Sequence, residues 1–442
     1  MPETRIRPRD RDAILQSLAA GVVPRRGQQH IQVGRAPEVA ALLQDIERVA
    51  DGGSAIRFVI GEYGAGKSFF LQLVRSIALE KNLITMHADL SPDRRLHATG
   101  GQARTLYAEL ARNIATRTSP EGGALSSIVE KFVGSALQQA RDDGTEVELV
   151  IRLRLDRLSE MVGGYDFAAV IEAYWRGHED GNAELKAAAV RWLRGEYTTK
   201  TDARQALGVR AIVDDANVYD QLKLLSVFVV LAGYRGLLVG LDEMVNLYKL
   251  GNTTARRSNY EQILRILNDC LQGSVSHLGF VMGGTPEFMT DPRRGLYSYE
   301  ALHSRLAENA FATGELRDLS GPVIRLASLT PEELFVLLGK LRTVQAGGED
   351  GSERLPDAAL EAFMQHCSGR LGEMYFRTPR TTIKAFVQLM AVLDQNPDSD
   401  WRELLGAVTL EPDRDPQVDL VMRPDDDAGG NDTDEELASF RL

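Results

Sequence analysis

Residues 61–70 read GEYGAGKSFF, three glycines, a lysine and a hydroxyl side chain set between the apolar run AIRFVI (55–60) and the amphipathic run LQLVRSIAL (71–79). Gly61, Gly66, Lys67 and Ser68 fit G-x-x-x-x-G-K-[ST], the phosphate-binding loop, in the strand–loop–helix context it requires. Glycines let the backbone take positive φ and wrap closely around phosphates. Successive N–H groups, Tyr63, Gly64, Ala65 and Phe69 included, then face an anion, reinforced by the positive end of the following helix. Lys67 supplies a point charge to the β- and γ-phosphates of ATP, and Ser68 offers its hydroxyl to Mg²⁺.

A second element is LLVGLDEM (237–244), where Asp242 ends an apolar strand at the edge on which open parallel sheets bind ligands. Asp242 is expected to hold Mg²⁺, and Glu243 to orient and deprotonate an attacking water. An acid at that place favours a hydrolase over a passive binder, and over a small-molecule kinase using the same loop. Thr285, closing GFVMGGT, either senses the γ-phosphate or caps the next turn. Arg305 is either a finger for a neighbouring subunit's γ-phosphate or a surface ion-pair residue. Arg377 and Arg380 stand at the start of a helix whose dipole they oppose, which calls for an anion nearby, ATP or a carboxylate. The doublets Arg256–Arg257 and Arg293–Arg294 follow two strand ends and either line a DNA-binding groove or sit in solvated loops.

These groups need a scaffold. Apolar runs at 55–60, 83–91, 236–243 and 278–285, separated by helical patterns, predict βαβ units and a parallel sheet covered on both faces. Residues 102–232 are mostly helical in pattern, and EVELVIRLRL (146–155) leans towards helix although it alternates like a strand. After residue 326 strand signals stop, and TPEELFVLL opens a helical module with a capping box, Thr330 to Glu333. The expected fold is α/β: a three-layer αβα domain over 31–325 with a large helical insertion (102–232), a short helical segment over 1–30, a C-terminal helical lid (326–410) and an acidic, disordered tail (411–442).

Composition bounds the function. The 442 residues are 43% hydrophobic, enough for packed cores, and contain no membrane-length apolar run and no secretory h-region. Two cysteines without partner patterns read as core thiols in a reducing cytoplasm. Net charge is −12, of which −8 falls within 411–442, so the body is nearly neutral and bulk charge does not advertise nucleic-acid binding. In the tail, Leu437, Phe440 and Leu442 are apolar anchors for a docking peptide, unless the terminus is idle.

Taken in order, VGR (33–35), GEYGAGKS, LVGLDE, GGT, SRL and PRTTIKAF resemble the AAA+ ATPases. GVVP, RWLRGE, GYRGLLVGLDE and GTPEFMTDPRRGLYSYEALHSRL resemble more specifically the BREX phage-defence ATP-binding proteins, BrxD and the ATPase part of BrxC. The resemblance implies adenine contacts by backbone near Val33 and Gly34, ATP and Mg²⁺ as cofactors, and an anti-phage role alongside DNA or a DNA-processing partner such as a helicase. It also implies a possible homo-oligomer. The competing expectation is a nucleotide-gated adaptor with slow turnover.

Overall fold

The computed structural model describes residues 5–312 and 318–407. Five parallel strands, β1 (Ser54–Ile60), β2 (Ile84–Asp89), β3 (Leu237–Asp242), β4 (Leu278–Gly284) and β5 (Val323–Arg325), form one sheet in the order β2-β3-β4-β1-β5. Four coincide with the apolar runs. The fifth is three residues long, too short to show periodicity in a sequence.

Alternate strand residues feed two cores, as a period of two demands. Ile56, Phe58, Met86, Val239 and Phe280 face one layer; Ala55, Val59, Leu238, Val281 and Ile324 face the other. The second layer is α2 (Ala36–Ala50) and α3 (Lys67–Glu80), packed through Leu42, Ile46, Phe70 and Val74. Within β1, Arg57 is buried but satisfied: its Nε and Nη2 donate to both carboxylate oxygens of Asp45, and Nη1 donates to the Leu319 and Gly321 carbonyls.

The first layer is much thicker. Between β2 and β3 run α4 (Gln102–Arg112), α5 (Leu125–Asp143), α6 (Val147–Ser159), α7 (Gly164–Glu179), α8 (Ala183–Leu193), α9 (Lys200–Leu207) and α10 (Val218–Leu231). The ambiguous segment is helix α6. The insertion shares one continuous core with the sheet. Its centre is aromatic: Phe228 lies 5.2 Å from Phe132 and 5.5 Å from Phe167, ring centre to ring centre, and Phe167 packs on Trp192. Phe228→Ala should therefore destabilise the protein by about 3–5 kcal/mol, read as a lower denaturation midpoint. A shift equivalent to under about 1 kcal/mol would mean that the site collapses around the smaller residue.

Between β3 and β5 lie α11 (Val245–Tyr248), α12 (Thr253–Gln272), α13 (Pro286–Thr290) and α14 (Glu300–Leu306). Beyond β5 come α15 (Pro331–Gln345), α16 (Asp357–Leu371), α17 (Met374–Arg377), α18 (Arg380–Gln395) and α19 (Trp401–Ala407). The capping box at Thr330 forms in both directions. These helices share a separate core, and α1 (Pro8–Ala19) belongs to it: Ile6 and Ile14 are buried with Leu338 and Phe386. The Ile6 amide donates to the Gly347 carbonyl at 3.0 Å. Two connections, residues 20–35 and 326–330, thus join this helical body to the sheet.

Both cysteines are buried and unpaired, and burial pushes each thiol up to about 12. Among the described residues no helix is long and apolar enough to cross a membrane. The acidic tail and its apolar anchors lie outside the described residues.

Candidate functional site

The C-terminal ends of β1, β3 and β4 reach one rim of the sheet, where the loop after β1 meets the helical body. A cavity of about 530 Å³ opens there. Its apolar end is built by Val22, Val23, Pro24 and Ile31 from the first connection, Leu329 from the second, and Leu18, Leu337 and Ile383 from the helical body. Its polar end carries Lys67, Ser68, Asp242 and Glu243. A flat apolar group at one end and a polyanion at the other fit this division, and the volume is that of a small-molecule site.

Residues distant in sequence meet at the polar end. The Ser68 hydroxyl donates to Asp242 Oδ2 at 2.9 Å, and the Glu243 amide donates to Asp242 Oδ1 at 2.9 Å. Room for this carboxylate comes from β4: a Cβ at Gly283 would overlap Asp242 Oδ1 and stand 2.8 Å from Leu71 Cδ1. Lys67 Nζ donates to the Gly61 carbonyl at 2.8 Å and the Glu62 carbonyl at 2.9 Å. Gly66 (φ 79°) starts α3, whose first amides have no acceptor within the helix.

Glu243 takes a left-handed backbone, φ 58°, at some cost for a residue with a Cβ. Burial, then the charges of Asp242 and Asp89, hold its carboxyl above the ordinary carboxylate range, with Lys67 and Lys249 pulling the other way. Asp89 is in register with Asp242 on the neighbouring strand. Burial and the Asp242 charge raise its pKa too, against the pull of Arg94. Sequence reading passed over Asp89; the only cue was an acid ending the strand-like run LITMHAD.

A hydroxyl beside a single carboxylate suits Mg²⁺, which keeps most of its shell as water and substrate phosphate. Groups of three or more ligating side chains are absent among the described residues.

Of the other sequence candidates, Val33, Tyr63, Gly64, Ala65, Phe69 and Arg380 line the cavity. Arg380 Nη1 donates to the Tyr63 hydroxyl at 3.2 Å, and Gly64 leaves only 3.0 Å between a Cβ there and Thr378. The helical body therefore rests directly on the glycine-rich loop. Gly34 and Gly61 flank the cavity without lining it; a Cβ at Gly34 would overlap Glu333 Oε1. Thr285 does not line it either: its hydroxyl accepts the Phe288 amide and caps α13. Arg305 is exposed on α14, away from the cavity lining, with Nη1 on the Ala301 carbonyl at 2.8 Å. The side chain of Arg377 lies outside the described residues.

The arginine doublets split. Arg256 is buried, and Arg256 Nη1 and Arg294 Nη2 both donate to the Leu250 carbonyl, at 2.6 and 3.3 Å. Arg257 and Arg293 are exposed, the former beside Glu261 at 3.5 Å. Inner members brace the loops, and only outer members face solvent.

Arg35 closes the quoted VGR (33–35), where the sequence assigned the arginine no role. It lines the cavity, and its Nη2 donates to the Ala65 carbonyl of the glycine-rich loop and to the Ala327 carbonyl at 3.1 Å.

The family model of the BREX system ATP-binding proteins BrxC/D matches residues 6–409 of the chain. No curated protein matches it.

Proposed function

As this chain belongs to the family of BREX system ATP-binding proteins BrxC/D, we propose that it is a magnesium-dependent ATPase of AAA+ type, with the cavity between sheet and helical body as its ATP site. The supporting observation is the 2.9 Å hydrogen bond from Ser68 to Asp242, which joins the glycine-rich loop to the end of β3 across 174 residues of sequence.

ATP lies with its base in the apolar end and its phosphates on the amides of residues 63–68. Lys67 exchanges the Gly61 and Glu62 carbonyls for the β- and γ-phosphates. Ser68 and Asp242 would hold Mg²⁺, which when bound neutralises and orients the terminal phosphates. Glu243 accepts the proton of the attacking water, a task its raised proton affinity suits. Arg380, already beside Tyr63, turns to the γ-phosphate, so the helical body acts as a lid. Arg305, exposed on α14, meets the γ-phosphate of a neighbouring copy. Thr285 remains a candidate sensor of the γ-phosphate at the end of β4.

Hydrolysis serves an anti-phage system in the cytoplasm, through DNA or a DNA-processing partner such as a helicase. Arg257 and Arg293 are the candidate phosphate contacts. A second reading, a nucleotide-gated adaptor with slow turnover, is favoured by the contact between Thr378 and Gly64, which makes the lid position sensitive to whatever occupies the loop.

ATP turnover of the full chain alone, with single-stranded DNA and with duplex, and with particle mass followed in each nucleotide state, separates these readings. The ATPase reading expects magnesium-dependent hydrolysis stimulated by DNA and abolished stimulation in R257A/R293A. Turnover indifferent to DNA, with partner affinity set by nucleotide state, assigns the chain to the adaptor class. No nucleotide binding at all overturns both.

A further inference from the structure

Arg35 occupies an unusual backbone position for a side chain of its size. Only four non-glycine residues among those described have positive φ, and Arg35 (61°) and Glu243 (58°) both border the cavity. Such backbone strain persists where the surrounding structure insists on it, commonly at binding and catalytic sites. Gly34 (φ 65°) precedes Arg35, so two consecutive left-handed residues turn the chain sharply into α2. That turn directs the guanidinium to the glycine-rich loop.

There, Nη2 donates to two carbonyls, Ala65 of the loop and Ala327 of the connection into α15. Nη1 is buried and has no hydrogen-bond partner. Burial holds the Arg35 pKa below the ordinary arginine value, against the pull of Glu38 and Glu333. A desolvated guanidinium with one nitrogen unpartnered is expensive; the donations to Ala65 and Ala327 and the charges of Glu38 and Glu333 offset that cost.

In a trans peptide the C=O of one residue and the N–H of the next point in opposite directions. Fixing the Ala65 carbonyl on Arg35 fixes the Gly66 N–H on the opposite edge of the same peptide plane. Among the described residues that N–H has no intramolecular acceptor. With glycine at 66 the peptide on either side rotates easily, so the loop by itself does not specify which way the 65–66 peptide faces.

We propose that Arg35 is a positioning residue for phosphate binding: by holding the Ala65 carbonyl, it presents the Gly66 amide to the β-phosphate. The proposal rests on the reading of the cavity as a nucleotide site and adds a residue from a segment that precedes the loop by 30 positions. The same guanidinium ties Ala327, the hinge into α15, to the loop, so loop order and lid attachment share one side chain.

The test is equilibrium binding of ADP and of adenosine to the full chain, by calorimetry and by competition. Adenosine uses only the apolar end, whereas ADP needs the amides. R35M, which keeps the apolar stem and loses the donors, is expected to weaken ADP about tenfold or more, the worth of a charge-oriented hydrogen bond, and to change adenosine affinity less than twofold. R35K keeps the charge on a shorter stem without the planar fork; it is expected to retain at least a threefold loss in the ADP-to-adenosine ratio, and it carries the test if R35M does not fold. Equal losses for ADP and adenosine, an unchanged ADP affinity in R35M, or a wild-type ratio in R35K would each overturn the positioning role. Failure of the wild-type chain to bind ADP would instead remove the nucleotide reading on which it rests.

Discussion

Glu243→Gln is expected to leave ATP bound and to slow its hydrolysis by about 10²–10⁴, the range for losing a positioned general base. The amide is nearly isosteric, and the hydrogen bonds that shape this corner use backbone atoms: the Glu243 amide on Asp242, and the Glu243 carbonyl accepting from Asn246 Nδ2 at 3.2 Å. The pocket therefore survives while the proton acceptor disappears. Burial and two neighbouring carboxylates raise the proton affinity of Glu243. Since the base works ionised, wild-type turnover should fall as pH drops through that raised pKa, at a higher pH than an unperturbed glutamate would give. The Gln variant should lose this acidic limb. A stability effect accompanies it. The folded protein holds the Glu243 proton more tightly than the unfolded chain does, so stability declines as pH rises from the ordinary value of 4.5 through the raised one. Above that window the ionised group is a net liability, and E243Q should melt at a higher temperature than wild type at neutral pH. Near-normal hydrolysis in E243Q would move the base elsewhere, with Asp89, one strand away, the first residue to examine.

Lys67→Ala should weaken ATP binding roughly 10²-fold, since contacts from an ammonium to phosphate oxygens are charge-assisted and worth about 1.5–3 kcal/mol each. The ammonium donates to the Gly61 and Glu62 carbonyls of its own loop. The Glu62 end of that contact is exposed, so water can replace the lysine and the fold should survive. Calorimetric titration with ATP and ADP, together with a melting curve, gives both numbers. Unchanged affinity would contradict the assignment of the cavity. Unchanged affinity for ADP with a large loss for ATP would place the ammonium at the γ-phosphate alone.

How far the sequence went depends on the range of the interactions involved. Four strands and the helices around them were legible because burial on both faces leaves uninterrupted apolar runs, and amphipathic helices repeat every three to four residues. The glycine-rich loop was legible because its backbone conformation restricts which residues can stand there. Thr330 and Glu333 announced a helix start because a capping box is made within four residues. Asp242 and Glu243 stood out by ending a strand.

Other features were decided only in three dimensions. β5 exists because the residues after Leu319 are pinned alongside β1, partly by Arg57, and three residues carry no pattern of their own. Asp89 joins the acidic corner through strand register, which pairs it with a residue 153 positions away. Arg35 reaches the loop through a left-handed backbone that nothing in its own identity requires. The first helix packs into the C-terminal core by side-chain fit between segments more than 300 residues apart. Local preferences are written residue by residue, so the sequence carries them directly. Which distant side chains share a cavity follows from how whole elements pack, and only the folded chain fixes that.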